Sequence, residues 1–105
     1  METSVFKIEK NDINRPRYIK TMNSWNKYGN YKINKDAMLY AITFGELVLA
    51  GASVIMDNNV AKVVFLNNSN CHEEEIRTAG TTQLSNLLEQ EYGSIDTDFQ
   101  YVKRG

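Results

Sequence analysis

A thiol, an imidazole and a carboxylate stand side by side at Cys71, His72 and Glu73. The trio invites a reading as nucleophile, base and orienting acid. A nucleophile needs its base within hydrogen-bond reach, however, and adjacent residues on an extended chain point to opposite faces. Cys71 and His72 are the sole cysteine and histidine of the chain, so such a site would have to use these two neighbours. A packed Cys71 beside a loop His72 is the simpler expectation. The same shortage argues against zinc, since no second Cys/His pair supplies ligand spacing. Glu73, Glu74 and Glu75 suit a solvated turn or the first turn of a helix, where carboxylates complement the dipole. These residues predict no catalytic group, no metal and no cofactor.

The remaining chemical patterns are weaker still, with one exception. Gly29, Gly45, Gly51, Gly80, Gly93 and Gly105 fit neither the Walker spacing nor the dinucleotide fingerprint. Glu89 and Glu91 are two apart on a helical pattern and face different ways, so they are not a paired acid and base. The exception is a run that interleaves cations with flat rings: Arg15, Arg17, Tyr18, Lys20, Trp25, Lys27, Tyr28, Tyr31 and Lys32. Nucleic-acid surfaces use this mixture, cations for phosphates and rings for stacking. Protein interfaces use it too, because Trp, Tyr and Arg dominate their hot spots. Asn23, Ser24, Asn26 and Lys27 surround Trp25, which predicts partial exposure of its ring.

The elements that must position these residues read as strands first and one helix late. Val5, Phe6 and Ile8 predict a short opening strand, ended by the turn-rich stretch to Pro16. Residues 17–33 alternate loosely between apolar and polar, which predicts a strand pair or an irregular extended segment. Asp36 to Phe44 suits either a short helix or a strand. Leu47–Met56 and Val60–Leu66 are β-rich runs joined across Asp57-Asn58-Asn59, a hairpin signal because Asn and Asp tolerate positive φ. Val63 to Leu66 is apolar at every position, which predicts a central strand covered on both faces. Gly80 breaks the chain, Thr81 or Thr82 caps, and Leu84, Leu87, Leu88 and Tyr92 make one helical face ending at Gly93. A last strand runs over Phe99–Val102. The fold class is therefore α+β: a twisted, mostly antiparallel sheet of about four to six strands, with a helix over about residues 82–92 packed on it. The expected core comprises Leu84, Leu87, Leu88, Val63, Phe65, Ile55, Val48 and Phe99.

Gly45-Glu46-Leu47-Val48, Ala50-Gly51, the hairpin at Asp57-Asn58-Asn59, Lys62-Val63 and Asn68-Ser69-Asn70-Cys71-His72 follow one another in a recognisable order. With them, residues 45–102 resemble the small SGHY-motif domain of polymorphic-toxin and effector proteins and of plant IQ-motif calmodulin-binding proteins. Asn70, Cys71 and Glu73 replace the Ser, Gly and Tyr of that motif, and Leu39-Tyr40-Ala41-Ile42 stands where the domain has H-S-S-F. The resemblance implies an α+β domain with a ligand pocket near Asn68, Cys71 and His72.

Length and charge set the outer limits. A chain of 105 residues suits one domain. Twelve Lys and Arg against thirteen Asp and Glu leave a net charge of -1, which excludes a basic arm or an acidic tail. The charges are segregated, with cations over residues 10–35 and anions over residues 71–98. A hydrophobic fraction of 42% excludes a disordered composition. No apolar stretch is long enough to span a bilayer and no signal peptide opens the chain, so a cytoplasmic location, in the producing cell or a host, is expected. The leading expectation is a small non-enzymatic protein-binding module, of the phage, plasmid or effector type, that inhibits a host protein through residues 15–31. The alternative is an enzyme-like ligand-binding domain, degenerate or active, with its pocket near Asn68 and His72. Nucleic-acid binding through residues 15–32 is third.

Overall fold

A computed structural model of the chain describes residues 3–25, 32–67 and 73–101. The order is β1 (Ser4–Ile8), α1 (Arg15–Trp25), β2 (Met38–Phe44), β3 (Leu47–Asp57), β4 (Val60–Asn67), α2 (Glu73–Tyr92) and β5 (Asp96–Tyr101). The strands form one sheet in sequence order, antiparallel from β1 to β4, while β5 joins β4 in parallel. The fold is α+β, as the hydrophobic pattern predicts. Its single parallel pair requires a crossover, and α2 is that crossover.

The β3–β4 hairpin forms where Asn and Asp were expected to turn the chain. Asn58 has φ 56°, and Asp57 pairs with Val60. Gly45, at φ 60°, turns β2 into β3. Residues 38–44, ambiguous in sequence, are a strand because they are paired on both edges, by β1 and β3.

Alternation along the strands divides the core in two. Tyr40, Ile42, Ala50, Ala52, Val63 and Phe65 face α2 and bury Leu84 and Leu88. Leu39, Ala41 and Leu66 face α1 and bury Met22 and Trp25. The single expected helix is thus two helices, one on each face.

Three sequence expectations are corrected here. Residues 15–25 are helical rather than extended. Arg15, Tyr18, Met22 and Trp25 recur at i, i+3, i+7 and i+10, a helical stripe, and Pro16 lies in the first turn, where a missing N–H costs nothing. Gly80 does not break the chain, because α2 begins at Glu73 and runs through it. Its far end is as expected: Gly93, at φ 78°, donates its N–H to the Glu89 carbonyl at 2.8 Å. The third correction is in the core. Ile55 is 43% exposed, Leu87 is only partly buried, and Val48 packs partly against the α1 cluster. Phe99 is also partly buried, with its ring stacked on Phe65 at 5.8 Å.

Glycine sets the approach of both helices. A Cβ at Gly51 would collide with the Met22 side chain of α1, and one at Gly80 would lie 2.7 Å from Ile42 Cδ1. Gly80→Ala gains about 1 kcal/mol of helix propensity but overpacks the interface by about 1–3 kcal/mol. Ile42→Val removes the clashing methyl and alone costs about 0.5–1.5 kcal/mol. The double variant should be more stable than the two single losses sum to, by about 1 kcal/mol in denaturant titration. Strict additivity would show that α2 does not rest on Ile42 at this point.

Candidate functional site

Antiparallel alternation of the strands is interrupted once in the sheet, at the parallel β4–β5 pair. Ligands of open sheets gather outside the carboxyl ends of parallel strands, next to the helix that connects them. Here that place is the end of β4 at Asn67 and the start of α2 at Glu73. Asn67 is half-buried and pairs with Ala50 of β3. Its Nδ2 is fully buried and makes no hydrogen bond. A buried amide donor without an acceptor is rare in a folded chain and marks a place where a partner is missing. Arg77, half-buried on the second turn of α2, adds a guanidinium at the helix end where the dipole favours anions. Glu74, one turn earlier, is exposed to solvent. Asn68, Cys71 and His72 connect these two elements and lie outside the described residues, as do Lys27, Tyr28 and Tyr31.

The described residues of the basic and aromatic run do not form one surface. Arg15 is 6% exposed, and its guanidinium donates to the carbonyls of Ile8 at 3.3 Å, Lys35 at 3.0 Å and Ala37 at 2.6 Å. It ties the start of α1 to the end of β1 and the approach to β2. Trp25 is 8% exposed, which corrects the expectation of a half-open ring, and it packs with Met22, Ile33 and Leu66. A helix turns every third or fourth residue to the same side, so Arg15, Met22 and Trp25 go inward while Arg17 and Lys20 go outward. Tyr18 is intermediate, edge-on to Phe6 with centroids 6.5 Å apart. Arg15 and Trp25 are therefore taken up by the core and are not surface anchors.

On the edge strand β1, Lys7 pairs with Glu91 of α2 at 2.8 Å, and the hydrogen bond raises the lysine above its usual range. The Tyr40 hydroxyl is buried nearby without a hydrogen bond. Burial, reinforced by the Glu91 charge, raises its ionisation well above the ordinary value of 10.0. Among the described residues no three His, Cys, Asp or Glu groups converge as a metal site. No described helix is long and apolar enough to cross a membrane.

No protein-family model and no curated protein matches the chain. Solved structures do. An aminoglycoside acetyltransferase, meta-AAC0020, from an uncultured soil metagenomic sample and in complex with sisomicin, matches 93% of this chain and 76% of its own, at TM-score 0.65 and 12% identity. A possible acetyltransferase from Clostridium difficile 630 matches 98% of this chain and 81% of its own, at TM-score 0.56 and 10% identity. An integron cassette protein from the mobile metagenome of V. cholerae matches 95% and 75%, at TM-score 0.59 and 10% identity. The fold is shared. This likeness to acetyltransferase folds corrects the leading expectation of a non-enzymatic binding module and effector-type inhibitor.

Two measurements test the placement of these groups. Trp25→Ala should cost about 3–5 kcal/mol of folding stability, as truncation of a buried aromatic does. A variant that melts with the parent would return Trp25 to the surface. Tyr40→Phe should keep or raise the melting temperature at neutral pH, since it deletes a hydroxyl that has no partner. Raised ionisation in the fold means that the stability from Tyr40 is complete below about pH 10 and falls as pH rises beyond it, where the unfolded tyrosine ionises first. Tyr40→Phe should therefore flatten the alkaline fall in melting temperature, and an unchanged alkaline limb would contradict this.

Proposed function

We propose that this chain is an acetyltransferase-type domain, which takes its acyl donor at the carboxyl ends of β4 and β5 beside the start of α2. The observation that carries this reading is the β4–α2–β5 crossover, a single parallel pair closing an antiparallel meander, matched over 93% of the chain to an aminoglycoside acetyltransferase. Three local features support it. The unpaired Nδ2 of Asn67 is a donor for a carbonyl or amide oxygen. Arg77 places a positive charge near the helix end, of the sign a phosphate group would meet there. The connecting residues Asn68, Cys71 and His72, which the SGHY-type resemblance picks out as a pocket, follow Asn67 directly in the chain.

The donor consistent with this reading is a thioester, acetyl coenzyme A. In the transfer, the acceptor's nitrogen or oxygen bonds to the carbonyl carbon and the carbon–sulfur bond breaks. The acceptor's proton leaves with the thiol. This chain's contribution is to bind and orient: Asn67 holds an oxygen of the donor, and Arg77 its phosphate.

Calorimetric titration with acetyl coenzyme A tests the reading. Binding between about 1 µM and 1 mM is expected, the range in which enzymes hold their substrates. Arg77→Gln should weaken it by about tenfold or more, the loss of a charged hydrogen bond, with circular dichroism confirming that the variant is folded. Absence of heat at about 1 mM donor would overturn the proposal.

A further inference from the structure

A second cleft opens on the other face of the sheet, between α1 and Val48 of β3. It has a volume of about 290 Å³ and is lined by Asn14, Arg17, Tyr18, Thr21, Met22 and Val48. The strand register gives its place. Ala50 of β3 pairs with Asn67, the last residue of β4, and β3 runs antiparallel to β4. Val48 therefore lies two residues, about 7 Å, beyond the carboxyl end of β4. The Val48 edge of the cleft and the donor site adjoin one end of the sheet from its two faces, while Asn14 and Arg17 lie at the start of α1, which Arg15 ties to the end of β1.

The lining is built. Met22 is fully buried against Gly51 and forms the apolar floor. Tyr18 is held edge-on by Phe6. The Thr21 hydroxyl is committed, donating to the Arg17 carbonyl at 2.9 Å. Arg17 itself is exposed, and no described carboxylate pairs with it. From Ile13 to Lys35 the sequence holds six cations and no acid. The carboxylates nearest along the chain, Asp12 and Glu46, do not line the cleft, although Asp12 Oδ1 accepts the backbone N–H of Asn14 at 2.8 Å.

We infer that this cleft takes the acetyl acceptor, and that the acceptor is a small molecule carrying a carboxylate or phosphate, which Arg17 grips with Asn14. A polyamine such as an aminoglycoside needs carboxylates around its ammonium groups, whereas this cleft presents a guanidinium. The solved neighbour in complex with sisomicin shares the fold, but the charge around Arg17 selects the opposite sign. The inference rests on the acetyltransferase reading for the role of the cleft. Its charge preference rests on Arg17 alone.

Proton–nitrogen correlation spectra of the full chain, titrated separately with succinate, inorganic phosphate, spermidine and acetyl coenzyme A, test it. Succinate or phosphate should shift the amides of Asn14, Arg17, Tyr18, Thr21 and Val48 and saturate, and the anion that does so names the acceptor's group. Arg17→Gln should weaken that binding by about tenfold or more. Lys20→Gln, which changes an exposed cation of the same helix outside the lining, should leave it unaltered. The inference is overturned if neither anion shifts these residues, if spermidine shifts them instead, or if the Lys20 variant loses as much as the Arg17 variant. Acetyl coenzyme A reports separately through Asn67 and Arg77. Anion binding without donor binding would sink only the acetyltransferase reading, and donor binding without anion binding only this one.

Discussion

Close approach of two helices to one sheet is the constraint on which the rest of the molecule depends. Its means is a patch of small residues in the middle strand, Ala50-Gly51-Ala52-Ser53, buried throughout. Because a strand alternates its faces, Gly51 meets α1 while Ala50 and Ala52 meet α2. Gly80 does the same for α2 from the helix side, letting its backbone come down onto Ile42 and Phe65. Larger residues at these points would lift the helices, and the lost contacts on both faces would cost more than the added methyls could return.

The placement of the proposed sites follows from how those helices are anchored. Arg15 fixes the first turn of α1 by donating to three backbone carbonyls, and so sets which residues of that helix face outward. Arg17 then falls beside the cleft, while Met22 and Trp25 go to the core. On the other face, α2 must start at the carboxyl end of β4 to return the chain for a parallel fifth strand. Asn67 and Arg77 are brought to one end by topology rather than by neighbouring positions in the chain. The Lys7–Glu91 pair and the link from Gln83 Nε2 to the Thr3 carbonyl hold α2 against the edge strand β1 along its length.

Legibility in the sequence tracked how local the cause was. The hairpin at Asp57-Asn58-Asn59 and the stop at Gly93 were readable because positive φ is a property of the residue and its neighbours. Val63 to Leu66 announced a strand covered on both sides because every side chain is apolar. The helix α1 was obscured because its buried stripe includes Arg15, a charged residue whose burial depends on carbonyls contributed by residues 8, 35 and 37. Gly80 was misread for the complementary reason: the residue is a poor helix former, and only the sheet beneath it explains its place. Trp25 has polar neighbours in sequence and apolar neighbours in space. The site was less legible than the fold, since neither Asn67 nor Arg77 belongs to a motif and their significance comes from burial at a particular strand and helix end.

By itself, then, the sequence determined the class of fold, the hairpin, the covered strand and the end of the second helix, all consequences of short-range periodicity and backbone preference. Only the tertiary structure decided that there are two helices on opposite faces, that Arg15 and Trp25 are internal, that the fifth strand is parallel, and that Arg17 borders a cleft on the α1 face of the sheet. Each of those outcomes depends on groups distant in the chain meeting in space. A buried cation or a bare glycine is favourable only once the partner surface that satisfies it, or presses against it, is present.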